Sequence, residues 1–263
     1  RFVCLVHDLI PIEYPEYVRW GDARRHRRRM DTVARLADRV VVNSAGTAAA
    51  LERHFEMVGR TAPIRVAPLG IDLCASACSL PGAATEPPYF ICIATIEPRK
   101  NHLLLLKVWQ HLVTALGSRT PRLILVGRRG PKSRKIVALI KQSGPARELI
   151  EEHNNLPDTA AARFVVGARA LLYPSFAEGY GLPVAEALAL GVPVLCSDLP
   201  ELREIGRHVP EYLDPLNEAA WRAAILDYAQ TSSMRRQEQL VRLARWQPPS
   251  WEQHFSRVRP LID

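Results

Sequence analysis

The sequence of 263 residues has no apolar run near the roughly eighteen that a membrane-crossing helix requires, so no spanning helix is expected. It also has no G-x-x-x-x-G-K-[ST], G-x-G-x-x-G, H-E-x-x-H or G-x-S-x-G pattern. The usual signals of P-loop, dinucleotide, zinc-protease and serine-hydrolase chemistry are therefore missing. No D-x-D pair of the kind that holds a metal-bound substrate is present, and no metal or cofactor is called for. Cysteines are few: Cys4, Cys74, Cys78, Cys92 and Cys196. Only Cys74 and Cys78 lie close together, and no second pair completes a zinc site. Cys4, Cys92 and Cys196 fall in apolar strand-like runs and are expected to be buried thiols, as in a reducing, cytoplasmic compartment. No signal peptide, internal repeat or low-complexity tract is visible in the sequence, and none is expected.

Hydrophobic residues make up 48% of the chain, enough to bury a sizeable core in one large domain or two moderate ones. The net charge of +8 favours an anionic partner: nucleic acid, a membrane surface or a phosphate-bearing substrate. Short apolar runs at 1–6, 39–43, 64–68, 89–94, 122–127, 168–174 and 192–198 read as strands covered on both faces. Helical periodicity lies between them at 22–37, 45–54, 101–116, 132–143, 158–166, 183–190 and 217–230. That alternation predicts an α/β fold of parallel sheets. The proline-rich stretch 78–88 reads as a linker between two doubly wound halves, with a ligand cleft where they meet.

Four segments carry candidate chemistry. In "EGYGLPVAEALALG", Pro183 suits a first helical turn, and Gly179 and Gly181 let backbone approach closely just before it. Free N–H groups at such a helix start attract phosphate. Glu178 before the helix, and Glu186 expected in its first turn, can accept hydrogen bonds from sugar hydroxyls or simply complement the helix dipole. In "IATIEPRKNH", Arg99 and Lys100 stand at the carboxyl end of a strand, with Asn101 as N-cap. From Pro98 to Arg147 there are twelve Lys or Arg residues and no Asp or Glu. Most form a solvated face; Arg99, Lys100 and Arg128 are assigned to the ligand. In "LVHDLIP", His7 follows a strand and can serve as a base or hold a substrate oxygen, while Asp8 can cap the next turn. The fourth segment, 22–38, is an amphipathic helix whose basic face carries Arg24, Arg25, Arg27, Arg28 and Arg29. It reads equally as a solvated surface or as a contact for anionic lipid; with no aromatic platform, nucleic acid is not expected.

"EGYGLPVAE", "IEPRKN" and "VHDLIP" together resemble the retaining GT-B glycosyltransferases of the large E-x7-E family (glycosyltransferase family 4, group 1), and among these the bacterial mannosyltransferases of polysaccharide assembly. The likeness runs from residue 1 to about residue 205. It implies a GT-B fold of two Rossmann-like domains facing a cleft, with the N-terminal domain incomplete. Residues 1–82 would belong to the acceptor side, 83–246 to the nucleotide-sugar side, and 247–263 to a helix returning to the first domain. By the same resemblance Glu178 binds donor-sugar hydroxyls and Glu186 the ribose. The backbone of Gly179, Tyr180, Gly181 and Leu182 meets the diphosphate, with Lys100 and Arg99 neutralising it. Gly127 and Arg128 lie near the nucleotide, and His7 beside the transferred sugar. The arginine that many members carry about five residues before the lysine has no counterpart, since Ala94 and Thr95 occupy that region.

The implied reaction moves a sugar, mannose from GDP-mannose first and a UDP- or dTDP-sugar second, to a glycan or lipid-linked hydroxyl with retention. It would take place in the cytoplasm or on the inner face of the plasma membrane. Two alternatives stay open at this point: an epimerase or phosphorylase on the same fold, and a basic nucleic-acid- or lipid-binding module.

Overall fold

The computed structural model describes residues 2–72 and 88–262. The expected boundary between 82 and 83, residues 78–87 of the expected linker, Cys74 and Cys78 lie outside the described residues. Strands β1 (Val3–Val6), β2 (Arg39–Val42) and β3 (Ile64–Val66) form one sheet in the order β1-β2-β3. Strands β4 (Tyr89–Ile93), β5 (Arg122–Val126), β6 (Ile150–His153), β7 (Leu171–Tyr173), β8 (Val194–Ser197) and β9 (Glu211–Leu213) form a second, in the order β6-β5-β4-β7-β8-β9. Every ladder is parallel. The helices are α1 (Ile10–Glu13), α2 (Asp22–Leu36), α3 (Ala45–Val58), α4 (His102–Leu116), α5 (Arg134–Lys141), α6 (Asp158–Val166), α7 (Leu182–Ala189), α8 (Pro200–Gly206), α9 (Glu218–Ala229), α10 (Met234–Leu243) and α11 (Trp251–Ile262).

The continuous apolar strands are buried on both faces because alternate side chains enter different cores. Phe90 and Cys92 of β4 pack with Leu123, Leu125, Trp109 and Trp221 under α4 and α9. Tyr89 and Ile91, from the same strand, pack with Ile124, Leu171, Val184 and Leu188 under α7. Trp109 meets Phe90 edge-on at 6.1 Å, and its indole N–H donates to the Pro121 carbonyl at 2.8 Å, so this buried ring leaves no polar atom unpaired. In the first sheet, Val40 and Val42 face Met30, Val33 and Ala34 of α2 and Leu51 and Phe55 of α3. Val41 and Ala67 face Val258 and Leu261 of α11 on the other side.

All seven expected strands and all seven expected helices form, with ends shifted by a few residues: the strand read over 168–174 is only Leu171–Tyr173, and the helix read over 45–54 continues to Val58. Strands β6 and β9 and helices α1, α8 and α10 are additions. Cys4 is half-buried rather than enclosed, while Cys92 and Cys196 are buried. Asn101 does precede α4, but its side chain does not cap it. Its φ is 52°, and its amide donates instead to the Pro215 carbonyl at 3.0 Å. Among the described residues no helix is long and apolar enough to cross a membrane.

The order of the second sheet decides where a ligand can enter. From β4 the chain builds outward through β5 and β6, then returns to β7 and builds the other way through β8 and β9. The connections from β4 and β7 therefore leave on opposite faces, and a crevice opens above their carboxyl ends. Lys100 follows β4 and Glu178 follows β7.

Candidate active site

A cleft of about 610 Å³ occupies that crevice, a size typical of small-ligand sites. Its wall includes His7 and Asp8 from the end of β1, Arg99 and Lys100 after β4, Gly127 and Arg128 after β5, and the run from Glu178 to Pro183 after β7. The two sheets thus contribute opposite walls. Every residue assigned to the site from the sequence lines the cleft except Glu186.

The floor is a compact charge cluster. Lys100 Nζ lies 2.5 Å from Glu178 Oε1 and donates to the Tyr173 hydroxyl at 2.6 Å. Arg99 Nη1 is 3.2 Å from Glu178 Oε2 and donates to the Ala177 carbonyl at 2.5 Å. The same guanidinium holds Glu97 Oε1 through Nη2 at 2.9 Å. The side chains of Lys100 and Glu178 are only 9% and 7% exposed. Isolated, either charge would be costly there; paired, the desolvation is offset by Coulomb attraction and hydrogen bonds. Burial alone would raise the Glu178 pKa, but the Lys100 and Arg99 cations outweigh it and hold the carboxyl below its usual range. Burial lowers the Lys100 pKa from the usual ammonium range, opposed by Glu178. Burial also pushes the Tyr173 phenol well up, so it stays neutral.

Glu97 and Tyr173 complete this cluster and were not singled out in the sequence. Tyr173 read as a core residue of a strand. Its position at the carboxyl end of a central parallel strand was the available signal, but the neighbour of that strand is set by sheet order.

The loop above the floor is held from both sides. Ser44 Oγ donates to the Gly179 carbonyl at 2.8 Å, and the Tyr180 hydroxyl donates to the Leu69 carbonyl at 2.8 Å. The phenol of Tyr180 therefore ties the loop to the chain after β3, although its residue borders the cleft. A Cβ at position 179 would stand 2.6 Å from the His7 carbonyl oxygen, so only glycine allows this approach. Gly181 has φ 97° and is the N-cap of α7, with Pro183 in the first turn. Among the described residues the N–H groups of Gly181 and Leu182 reach no protein acceptor. They are the free donors that a helix start offers to an anion. Asp8 Oδ1 accepts from the Ile10 N–H at 3.1 Å, the capping turn anticipated for it. Side chains of His7 and Arg128 are exposed to the cleft.

Glu186 differs from its expected place. It lies in the second turn of α7, is exposed, and is absent from the cleft wall. The helix starts at Leu182, so an offset of four residues carries Glu186 past the first turn. Surrounding protein and then the Asp158 carboxylate raise its pKa, and Asp158 itself lines the cleft, so Glu186 stands at the rim.

His102, just behind the cluster, is 1% exposed, and burial pushes its pKa down to about 4. The unfolded chain takes up this proton near pH 6.5, whereas the folded chain refuses it until about pH 4. Stability contributed by neutral His102 is therefore lost as pH falls through that window, by about 3 kcal/mol in total. Urea melts between pH 4.5 and 7 should show this slope, and His102→Gln should flatten it.

Residues 81–237 match the family described as Glycosyl transferases group 1, and residues 1–74 match Glycosyltransferase Family 4. The chain belongs to the group 1 glycosyl transferase family. It is 37% identical over 164 residues to the O-antigen chain mannosyltransferase B of Escherichia coli, covering 62% of this chain and 42% of that protein. It is 29% identical over 222 residues to the serotype-specific mannosyltransferase WbdA of Escherichia coli, covering 78% of this chain and 27% of the relative. The chain thus spans less than half the length of these relatives. In fold it is similar to Anabaena Alr3699/HepE in complex with UDP-glucose, with a TM-score of 0.73, 17% identity, and coverage of 99% of this chain and 71% of that one. Sucrose-phosphate synthase from Thermosynechococcus elongatus gives a TM-score of 0.71 at 21% identity, with coverage of 99% and 66%. The two facing parallel sheets are those of the GT-B fold.

Proposed function

We propose that this chain is a retaining glycosyltransferase of cell-surface polysaccharide assembly, taking mannose from GDP-mannose to a hydroxyl of a glycan or lipid-linked acceptor. The observation that carries the reading is the Lys100–Glu178–Arg99 cluster at the switch point, in the same cleft as the free N–H groups of Gly181 and Leu182 at the start of α7. Family membership and the mannosyltransferase relatives support the sugar class.

In the reaction the bond between the anomeric carbon and the diphosphate oxygen breaks, and its electron pair stays on the diphosphate. The acceptor oxygen forms the new bond on the same face, and its proton passes to the departing phosphate oxygen. Charge therefore builds on the diphosphate, and fixed positive groups there lower the barrier. Lys100 and Arg99 are half of a neutral set, since Glu97 and Glu178 balance them. The N–H groups of Gly181 and Leu182 and the exposed Arg128 then carry the larger share of the net attraction for phosphate. Both oxygens of Glu178 are engaged by cations, which disfavours it as a nucleophile and supports same-face substitution. Their remaining lone pairs can accept from donor-sugar hydroxyls, and Glu186 at the rim remains the candidate for the ribose. No metal or cofactor is assigned a role.

GDP-mannose at about a hundred times its Kd should stabilise the fold by about 2.7 kcal/mol. A thermal-shift panel of GDP-mannose, UDP-glucose and dTDP-sugars checks this, and a larger shift with another donor would replace the sugar in the proposal. The exposed arginines 24, 25, 27, 28 and 29 of α2, beside a wholly exposed Trp20, support peripheral contact with anionic lipid on the cytoplasmic face. Flotation with phosphatidylglycerol vesicles should fall at least severalfold for Arg27→Glu/Arg28→Glu; equal flotation of both proteins would remove that contact.

A further inference from the structure

A second, smaller cavity of about 160 Å³ lies on the far side of Asp8 and Glu178, which line both it and the main cleft. It has about a quarter of the volume of the main cleft, too small for the nucleotide sugar assigned to that cleft and of a scale for a single sugar ring. Residues from both halves enclose it. Leu9, Ile10, Glu13 and Tyr14 come from the segment after β1, Arg53 from α3, Phe176 from the loop that carries Glu178, and Glu201 from α8.

The walls have a definite chemistry. Tyr17 stacks on Phe176 with centroids 6.0 Å apart and planes within 1°, and Tyr14 stacks on Tyr17 at 6.1 Å. Tyr14 and Phe176, the outer rings of that stack, border the cavity. Phe176 is only two residues from Glu178, so whatever lies against its ring has a fixed distance to the reacting end of the cleft. The charged groups lining the cavity are Asp8, Glu13, Glu178, Glu201 and Arg53, beside the hydroxyls of Thr47 and Tyr14, and the single cation is spent on Glu13 at 2.8 Å. Burial, followed by the carboxylates of Glu13, Glu204 and Glu178, raises the Glu201 pKa. A ligand rich in hydroxyl donors would relieve that repulsion, whereas an anionic one would add to it.

We infer that this cavity is the acceptor subsite, and that it takes an uncharged terminal pyranose whose apolar face lies on Tyr14 and Phe176 and whose hydroxyls donate to Glu13 and Glu201. The inference rests on the transferase reading above and adds to it the place and charge of the acceptor. Asp8 and Glu178 line both cavities and so stand between the proposed acceptor and the donor. The free oxygen of Asp8 can accept from the acceptor hydroxyl and orient it.

The test uses the full chain with GDP-mannose as donor and methyl α-D-mannopyranoside as the varied acceptor. Tyr14→Ala and Glu201→Gln should each raise the acceptor KM about tenfold with kcat changed less than threefold, because they touch the acceptor and not the leaving group. The thermal shift given by GDP-mannose should be the same in both variants and the wild type. Methyl α-D-mannopyranoside 6-phosphate should be a poor acceptor for the wild type and improve in Glu201→Gln. Glu201→Gln nearly keeps shape, so it decides the matter if the alanine variant does not fold. Acceptor KM values within twofold of the wild type in Tyr14→Ala and Glu201→Gln would overturn the subsite alone. A wild-type protein that neither binds GDP-mannose nor transfers from it would overturn the donor reading, and the subsite with it.

Discussion

Glu178→Gln is expected to cut turnover about a thousandfold, the scale of losing a fixed electrostatic contact in a closed site. Its carboxylate pairs with Lys100 and Arg99; without it Lys100 keeps only the Tyr173 hydroxyl and loses its aim, while Arg99 stays held by Glu97 and the Ala177 carbonyl. The same change leaves Lys100 buried beside a neutral amide, at a stability cost of about 3 kcal/mol. These two effects are separable. In the double variant Lys100→Met/Glu178→Gln no charge remains unpaired by its partner, and an apolar side chain fills the ammonium's place. Urea melts should show most of the lost stability returning, while turnover stays at the level of the single variant or below. Turnover within tenfold of the wild type in Glu178→Gln would sink the assignment, and recovery of turnover in the double variant would show that the cluster serves folding only.

Gly179→Ala is expected to lower turnover about a hundredfold, as a misplacement near 1 Å does in a preorganised site. The added methyl would sit 2.6 Å from the His7 carbonyl and 2.9 Å from Asp8 Cβ, so the loop and the β1 segment must separate. Nothing flexible can yield cheaply, because the first obstacle is backbone. The separation also stretches the Ser44 hydrogen bond to the Gly179 carbonyl. Overpacking of this kind costs about 1–3 kcal/mol. The expected signature is a much larger loss in kcat than in stability, with the GDP-mannose shift reduced but not abolished. Unchanged kinetics would mean that the two walls need not touch for activity.

Much of the fold was legible because buried parallel strands announce themselves as unbroken apolar runs, as in β4, β5 and β8. Strands β6 and β9 were not, since both lie at edges of the sheet and carry acids in "IEEH" and "EYL". An edge strand owes its place to a single neighbour, and its sequence need not show burial on both faces. The site was legible where a residue's address is local. Lys100, Glu178 and the glycines follow strand ends or precede a helix, and the topology places those points in a crevice. It was not legible where the address depends on pairing, as for Tyr173, whose hydroxyl reaches Lys100 only because β7 lies beside β4. The misplacement of Glu186 has a different origin: a one-turn displacement follows from the helix beginning at Leu182 and from nothing else in its spacing.

Helix α11 belongs by sequence to the end of the chain but by packing to the first sheet, where Val258 and Leu261 cover Val41 and the His254 ring sits 3.1 Å from the carbonyls of Ala67 and Pro68. The polypeptide therefore passes between the halves twice, once after β3 and once before α11. The pass before α11 is fastened to the first half, where the Ile71 N–H donates to the Pro249 carbonyl at 3.1 Å and the Trp251 indole N–H donates to Asp72 at 2.8 Å. Parting the two halves while α11 stays on the second would break these contacts, so the last helix is a strap that keeps the first sheet within reach of the second.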